Sequence, residues 1–579
     1  MQSVKIFLQL FAVICFPLLA SSQASVRLSQ PAREQNNVSS PKQFIAGRTC
    51  TGCKITINND TVHVYTTGAF AVRRDLQQGR STFNITATDP NGETYTKSVS
   101  FYYNPPPAPI ATSAFRIDYI DISPKGNVEL SEGDTLRIKM KGYPGGKASW
   151  FDDVPLRELP ADQAGVAGIY TGIHVIGPED SLLNGKLLVQ LRLPNGNAAS
   201  LYSPYRYTVM HRETPLTGRT IDNMTYLTSS PEGDRLGPEK IGYLDKGVLM
   251  HIIGKQHDYY KVRLSSGQTA FIPEPLVDTE IPQEQLPVSI VSDAKIWGDE
   301  QFDYVSIALS DKMPYTSTQI VSPGKIIIDV HGVYAEQSVS NAMQNTREIT
   351  QVSWGKPAPD VFRMILSLKH APWGYKIYYE GNRLTVRVKR VPSDLSLRNL
   401  TIGIDPGHGG SNPGASGLTG SSEKQLTLVL SLLLKSALEK EGARVLITRT
   451  SDQFVANEDR LSYYRNADPD LLLSIHLNSS VNPVDVNGTA TYYKHPFCEP
   501  LCAAIHKRLL ETGLNDFGNN DGFNFILNNP TEFPDALVET LFLSNPADEE
   551  KVLEPAFRQL MVEKIVMGLK DYLAGIQSR

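Results

Sequence analysis

The chain has 579 residues, with 56 Lys and Arg against 61 Asp and Glu and a formal net charge of −5. That length is too great for one hydrophobic core and fits roughly three to five domains. The near-balanced charge argues against the strongly basic surface of a nucleic-acid binder, so no nucleic-acid partner is expected.

Lys5, the apolar run 6–20 and the small-residue site Ser22-Gln23-Ala24 read as a secretory signal over residues 1–24. The run is interrupted by Gln9 and is short for a bilayer, and no later stretch reads as a membrane span. The mature chain is therefore expected to be exported and to lack a span. Cleavage there removes Cys15 and leaves two close pairs, Cys50/Cys53 and Cys498/Cys502. Disulfides are the default for such pairs in an exported protein. A redox role for the C-x-x-C at 50 lacks the βαβ context it needs. The i, i+4 spacing of Cys498 and Cys502 is near the limit of disulfide geometry and leaves that pair undecided.

Residues 25–42 are polar and read as loose. Short alternating runs follow (ITIN, VHVY, TFNITAT, YTKSVSF), broken by turns such as Asp89-Pro90-Asn91-Gly92, and they predict an Ig-like β-sandwich over 43–104. The proline-rich stretch 104–109 is a stiff linker. LRIKMKG and KLLVQLRLP are the clearest strands of a second β-sandwich over 113–212. At 218–280, YLTSS, VLMHIIG, YYKVRL, a Ser265-Ser266-Gly267 turn and QTAFIP form a small barrel that resembles a bacterial SH3-like domain. The resemblance implies wall or peptide binding, against a plain spacer. Residues 285–391 carry FDYVSIALS, GKIIIDVHG, ITQVSWG, VFRMILSLK, GYKIYYEGN and RLTVRVKR. Through 329–332 and 362–366 this β-module resembles the AMIN domain. That implies a role in placing the protein in the envelope, against a sandwich that only holds its neighbours apart.

From Ser393 the pattern changes to alternating strands and helices, which predicts an α/β catalytic domain with a mostly parallel sheet over 399–575. Leu400, Ile402 and Ile404 form an apolar strand that Asp405-Pro406-Gly407 ends. His408 is thereby presented at a strand's carboxyl end, where open α/β folds put their chemistry. Ser421 or Ser422 can cap a helix whose first turn carries Glu423 and which stops at Gly442. A strand at 444–448, a helix at 457–467 and a buried strand at 471–475 follow, the last ending on His476. The apolar run 536–542 carries Glu539, an acid that asks for a cation or a cleft. His495, near a strand end, is a candidate groove residue, whereas His506, beside Lys507 and Arg508, reads as a surface residue.

DPGHGG, SSEKQ, LITRTSD, NEDR, LLLSIHLN and PDALVETLFLSN stand in the order seen in zinc-dependent N-acetylmuramoyl-L-alanine amidases, so 399–575 resembles the Amidase_3 family. The resemblance implies that His408, Glu423 and His476 hold one catalytic Zn2+ and that Glu539 works on the water. Two His and one Glu with a position left for water is a standard catalytic zinc set, and the short HExxH spacing is absent. It also implies an exported hydrolase in the periplasm or envelope of a bacterium. Its substrate would be peptidoglycan, cut between N-acetylmuramic acid and L-alanine in wall remodelling or daughter-cell separation. An activator or division-site protein is left open as a partner. The alternatives are an inactive wall-binding regulator and a zinc peptidase acting on the stem peptide.

Taken singly, each residue has a plainer reading. His408 can close a Gly-rich turn, Glu423 can favour the helix dipole, and His476 can be a satisfied strand-end histidine. Arg449 and Arg460 match family positions, but buried ion pairing explains them as well as substrate binding does. No G-x-S-x-G elbow, Walker A loop or dinucleotide fingerprint occurs. Some family members plug the groove with a long helix between the second His and the Glu. Here strands and one helix at about 497–511 account for most of that gap, so an open groove with basal activity is expected. Residues 399–579 are expected to fold alone.

Overall fold

The computed structural model of the protein describes residues 23–210, 216–234, 236–281, 287–334 and 341–577. Of the signal reading, residues 1–22 lie outside them. Residues 25–42 are not loose. Val26–Gln30 pairs antiparallel with Lys42–Thr49, and Gln35–Val38 lies parallel to Thr94–Tyr103. Their polar residues fall on the solvent face, while Val26 joins Ile45, Phe70 and Phe101 in the core between two sheets. Cys50 and Cys53 are disulfide-bonded.

The second module wraps a seven-stranded sheet around Trp150, Tyr170 and Leu191. Two of its segments, Val128–Leu130 and Tyr207–Val209, pair instead into the nine-stranded sheet formed with strands of 216–278, where Val128 and Glu129 face Gln256 and Lys255. The next module stacks two antiparallel-rich sheets over Val305, Ile328, Met364 and Val386.

The C-terminal sheet contains β1 (Thr401–Pro406), β2 (Arg444–Ile447), β3 (Leu471–Asn478), β4 (Thr489–Tyr492), β5 (Asp516–Asn520) and β6 (Asp535–Phe542), in the order β2-β1-β3-β6-β4-β5. Pairing is parallel from β2 to β6 and between β4 and β5, but β4 runs antiparallel to β6. The expectation of a mostly parallel sheet is thus met in part. The helices are α1 (Glu423–Lys440), α2 (Asn457–Ala467), α3 (Glu499–Leu510), α4 (Pro546–Leu553) and α5 (Pro555–Gln577). Leu426, Leu430, Leu434 and Leu438 recur every four residues along α1 and pack with Ile565 and Leu569 of α5 against Ile402, Ile404 and Ile475. Leu461 and Tyr464 of α2 join Leu472 and Phe533 in a separate cluster. β6 is buried along its whole length, which accounts for its nearly continuous apolar sequence.

The C-terminal core does not begin at 399. Trp373, Leu395 and Leu397 belong to it, and Trp373 stacks on Tyr572 with ring centroids 6.0 Å apart. In exchange, Phe497 and Cys498 pack into the core of the preceding module.

Candidate metal centre

β1 ends at Pro406, and the chain turns through Gly407 to His408, whose φ of +60° lies in the left-handed region. A Cβ on Gly407 would collide with the imidazole of His476, so only glycine lets the second histidine come this close. Glu423 opens α1. Ser422 occupies the N-cap without a side-chain cap bond. Ser421 instead donates its Oγ to Glu549 Oε1 at 2.6 Å, and the N–H groups of Leu418 and Thr419 donate to the same carboxylate at 2.9 and 3.1 Å. Glu549, fully buried at the start of α4, therefore orders the loop that delivers Glu423.

His408 Nε2 lies 3.1 Å from Glu423 Oε2, and His476 Nδ1 lies 2.9 Å from Glu423 Oε1. One donor atom from each of the three residues falls within 4.8 Å of the others. His408 Nδ1 donates to Asn412 Oδ1 at 3.1 Å, which leaves Nε2 for the centre. The N–H groups of Ala415 and Leu477 anchor Glu423 at 2.7 and 3.0 Å. Burial acts to raise the Glu423 carboxyl, but hydrogen bonds from the two imidazoles outweigh it and hold the group well below its usual range. Burial acts to lower His476, and Glu423 outweighs that too, pushing the imidazole up to about 9.

Glu539 stands beside this cluster, paired in register with His476 across β3 and β6. It is 9% exposed, and burial pushes its carboxyl up to about 8. Its Oε2 has no hydrogen-bond partner among the described residues, so it is a buried polar atom that only a ligand or water can complete. Two imidazoles and a carboxylate from separate elements, with this orphan atom next to them, fit a catalytic zinc ion with an open position.

The arginines hold backbone. Arg460 pairs with Asp405 at 2.6 Å and donates to the His408 carbonyl at 2.6 Å, while Arg449 donates to the carbonyls of Pro406 and Gly407 at 3.1 and 2.8 Å. His495 does not line the groove: it stacks on Phe497 and meets the Asn529 carbonyl at 3.0 Å. His506 is not a surface residue. It is 7% exposed, because its side of α3 faces β5, where Asp516 Oδ1 lies 2.8 Å from Nε2. Cys498 and Cys502 are buried free thiols, both raised by burial.

The centre opens into a groove of about 830 Å3 lined by Phe454 to Glu458, by Asn524 to Leu527 and by Tyr226, Leu236 and Lys240 from the region of the nine-stranded sheet. No α3 residue lines it. Asn412, Glu549 and the share of the wall from Tyr226, Leu236 and Lys240 carry no mark in the sequence.

The N-acetylmuramoyl-L-alanine amidase family (Amidase_3) matches residues 402–571, and the AMIN domain matches residues 293–388. A probable cell wall amidase LytH of Staphylococcus saprophyticus is 36% identical over 197 residues, covering 33% of this chain and 64% of that protein. Its namesake in Staphylococcus epidermidis is 36% identical over 196 residues, with 32% and 64% covered. The chain thus spans a little under two thirds of the length of these curated relatives. A solved N-acetylmuramoyl-L-alanine amidase from Clostridium difficile 630 is 30% identical, covering 30% of this chain and 97% of that one, with a TM-score of 0.29. The catalytic domain of CwlV from Bacillus (Paenibacillus) polymyxa var. colistinus is 31% identical, covering 30% and 98%, with a TM-score of 0.29. The chain carries an Amidase_3 domain at its C-terminal end, preceded by an AMIN domain.

Proposed function

We propose that the protein is an exported, zinc-dependent N-acetylmuramoyl-L-alanine amidase of the bacterial envelope, acting on peptidoglycan in wall remodelling or daughter-cell separation. One observation carries the reading. Donors of His408, Glu423 and His476 converge within 4.8 Å beside a buried Glu539 whose Oε2 has no partner among the described residues, inside an amidase-family domain. His408, Glu423 and His476 would hold the ion. Zinc bound there supplies Lewis acidity and makes a water ionisable near neutral pH.

The chain's own residues do the remainder. Glu539 accepts a proton at Oε2 and delivers it to the departing amine of L-alanine. Asn412 keeps His408 Nε2 turned inward, and Arg460 fixes the carbonyl of His408. The groove leaves room for a glycan strand with its stem peptide. The AMIN domain supports placement in the envelope, where an activator or division-site protein would meet the enzyme. Among the described residues no helix is long and apolar enough to cross a membrane.

Mass analysis of the soluble products released from purified peptidoglycan by the zinc-loaded full chain tests the reading. Intact stem peptides beginning with L-alanine are expected. Cuts within the stem would make the protein a peptidase, and no release by a zinc-loaded chain would make it a regulator.

A further inference from the structure

The N-terminal module is docked on the loop that delivers Glu423. Alternation along Lys42–Thr49 and Ala69–Asp75 sends Ile45 and Phe70 into the module's own core. The opposite face therefore carries Ala46, Arg48, Ala69 and Ala71, and the register sets Ala46 beside Ala71 and Arg48 beside Ala69. In an isolated sandwich that face meets water. Here Ala46 and Ala69 are fully buried, because Leu418 packs on them with Ala71 beside the contact. Side chains this small leave room for a leucine from another module.

Polar bonds accompany the apolar contact. Arg48 donates from its guanidinium to the carbonyl of Thr419, the residue after Leu418. The N–H and the hydroxyl of Thr66 both donate to Glu550 Oε1 at 2.6 Å. Glu550 follows Glu549 on α4, and Glu549 holds the same loop through Leu418, Thr419 and Ser421. The loop is thus gripped both by α4 and by the N-terminal sheet. It leads directly to a metal donor. The N–H of Gly417 donates to the Ser421 carbonyl at 2.9 Å, and the Ala415 carbonyl accepts from the Glu423 N–H at 2.9 Å. Ala415 also donates its own N–H to Glu423 Oε2 at 2.7 Å. A displacement of the loop is therefore passed to the carboxylate that His408 and His476 meet at 3.1 and 2.9 Å.

We propose that Ala46, Arg48 and Ala69 are positioning residues of the metal centre. The N-terminal module holds 417–420 so that Glu423 stays between the two histidines, and zinc affinity depends on that hold. The proposal rests on the zinc reading of the centre and adds to it a dependence on the module farthest from it in sequence.

The test is the zinc affinity of the full chain, measured by competition with a chromogenic chelator. Ala46→Gln combined with Arg48→Met crowds Leu418 and removes the donor to Thr419, on a face outside the module's own core. The double variant should bind zinc about tenfold more weakly than the parent, the size expected when a partner that orients a ligand is lost. Arg48→Lys, which keeps a donor, should stay close to the parent. Arg73→Ala is the control. It removes a pair with Asp485 at 3.7 Å that does not involve the loop, and it should leave the affinity unchanged. Circular dichroism identifies the folded variants. Equal affinities in the parent and the folded double variant overturn the proposal, and so does an equal loss in Arg73→Ala. Should the double variant not fold, Arg48→Met alone must still weaken zinc binding, and an unchanged affinity there overturns the proposal too. A parent chain without zinc affinity would overturn the zinc reading itself, which keeps the two failures distinct.

Discussion

Glu549 shows how far the metal centre reaches beyond its donors. It touches none of them, yet it accepts hydrogen bonds from Leu418, Thr419 and Ser421 in the loop that leads into Glu423. Losing such a supporting partner typically costs about 10–100-fold in metal affinity. Glu549→Ala should therefore weaken zinc binding about tenfold or more without unfolding the chain. Competition with a chromogenic chelator measures this, and unchanged affinity would uncouple the loop from the centre. In the sequence, His408 and His476 were legible because each closes an apolar strand, and Glu539 because it interrupts one. Glu549 was not, since an acid in the first turn after Asn545-Pro546 already has a reason to be there in the helix dipole. His506 was misread for a related cause: its basic neighbours face solvent, while its own side of α3 faces β5.

At the scale of elements, alternation revealed most strands but not those whose outward residues are all polar, such as Gln35–Val38, whose pairing partners lie 65 residues further along the chain. Nor could it show Val128–Leu130 and Tyr207–Val209 crossing into the nine-stranded sheet, because pairing across modules leaves no local pattern. One strand also carries a pH response. His331 ends Lys325–His331 at 1% exposure, with Nε2 3.0 Å from Thr316 Oγ1, and burial pushes its pKa down to about 4 against the pull of Asp329 and Asp360. The unfolded imidazole titrates near 6.5. Between about 4 and 6.5 the unfolded chain binds the extra proton, so this contribution is fully present above 6.5 and is lost as the pH falls towards 4. The urea midpoint of the AMIN transition should drop between pH 7 and pH 4.5, and His331→Gln, which keeps a partner for Thr316, should flatten the drop. An equal drop in the variant would assign it to other groups.

Across the whole molecule the modules are joined by shared cores. Trp373, Leu395 and Leu397 complete the C-terminal core, Tyr375 donates its N–H to the Thr531 carbonyl and accepts from the Thr531 hydroxyl, and Arg387 and Lys389 hold Asp468 and Pro469. On the other side, Arg48 donates to the carbonyl of Thr419, and Thr66 binds Glu550 at 2.6 Å. The change of pattern near 393 marks where strands give way to alternating strands and helices, but contacts as distant as Trp373 with Tyr572 are invisible to it. The expectation that 399–579 folds alone therefore becomes a question of degree. Burying a large apolar side chain contributes about 1.5–3 kcal/mol. A chain starting at 399 should thus be less stable than one starting at 287 by several kcal/mol, about the worth of the three severed side chains. Urea unfolding followed by tryptophan-independent circular dichroism compares them, and equal midpoints would show that the seam adds nothing.

The most direct test joins metal content to turnover in the full chain. His408→Ala and His476→Ala should lose zinc, because an incomplete ligand set binds it poorly. Glu539→Gln should retain about one zinc per chain, as the unmutated protein should, while peptide release from peptidoglycan falls roughly 10²–10⁴-fold. A Glu539→Gln protein that loses its zinc, or one that keeps near-full activity, would contradict the division of labour between three ligands and one proton carrier.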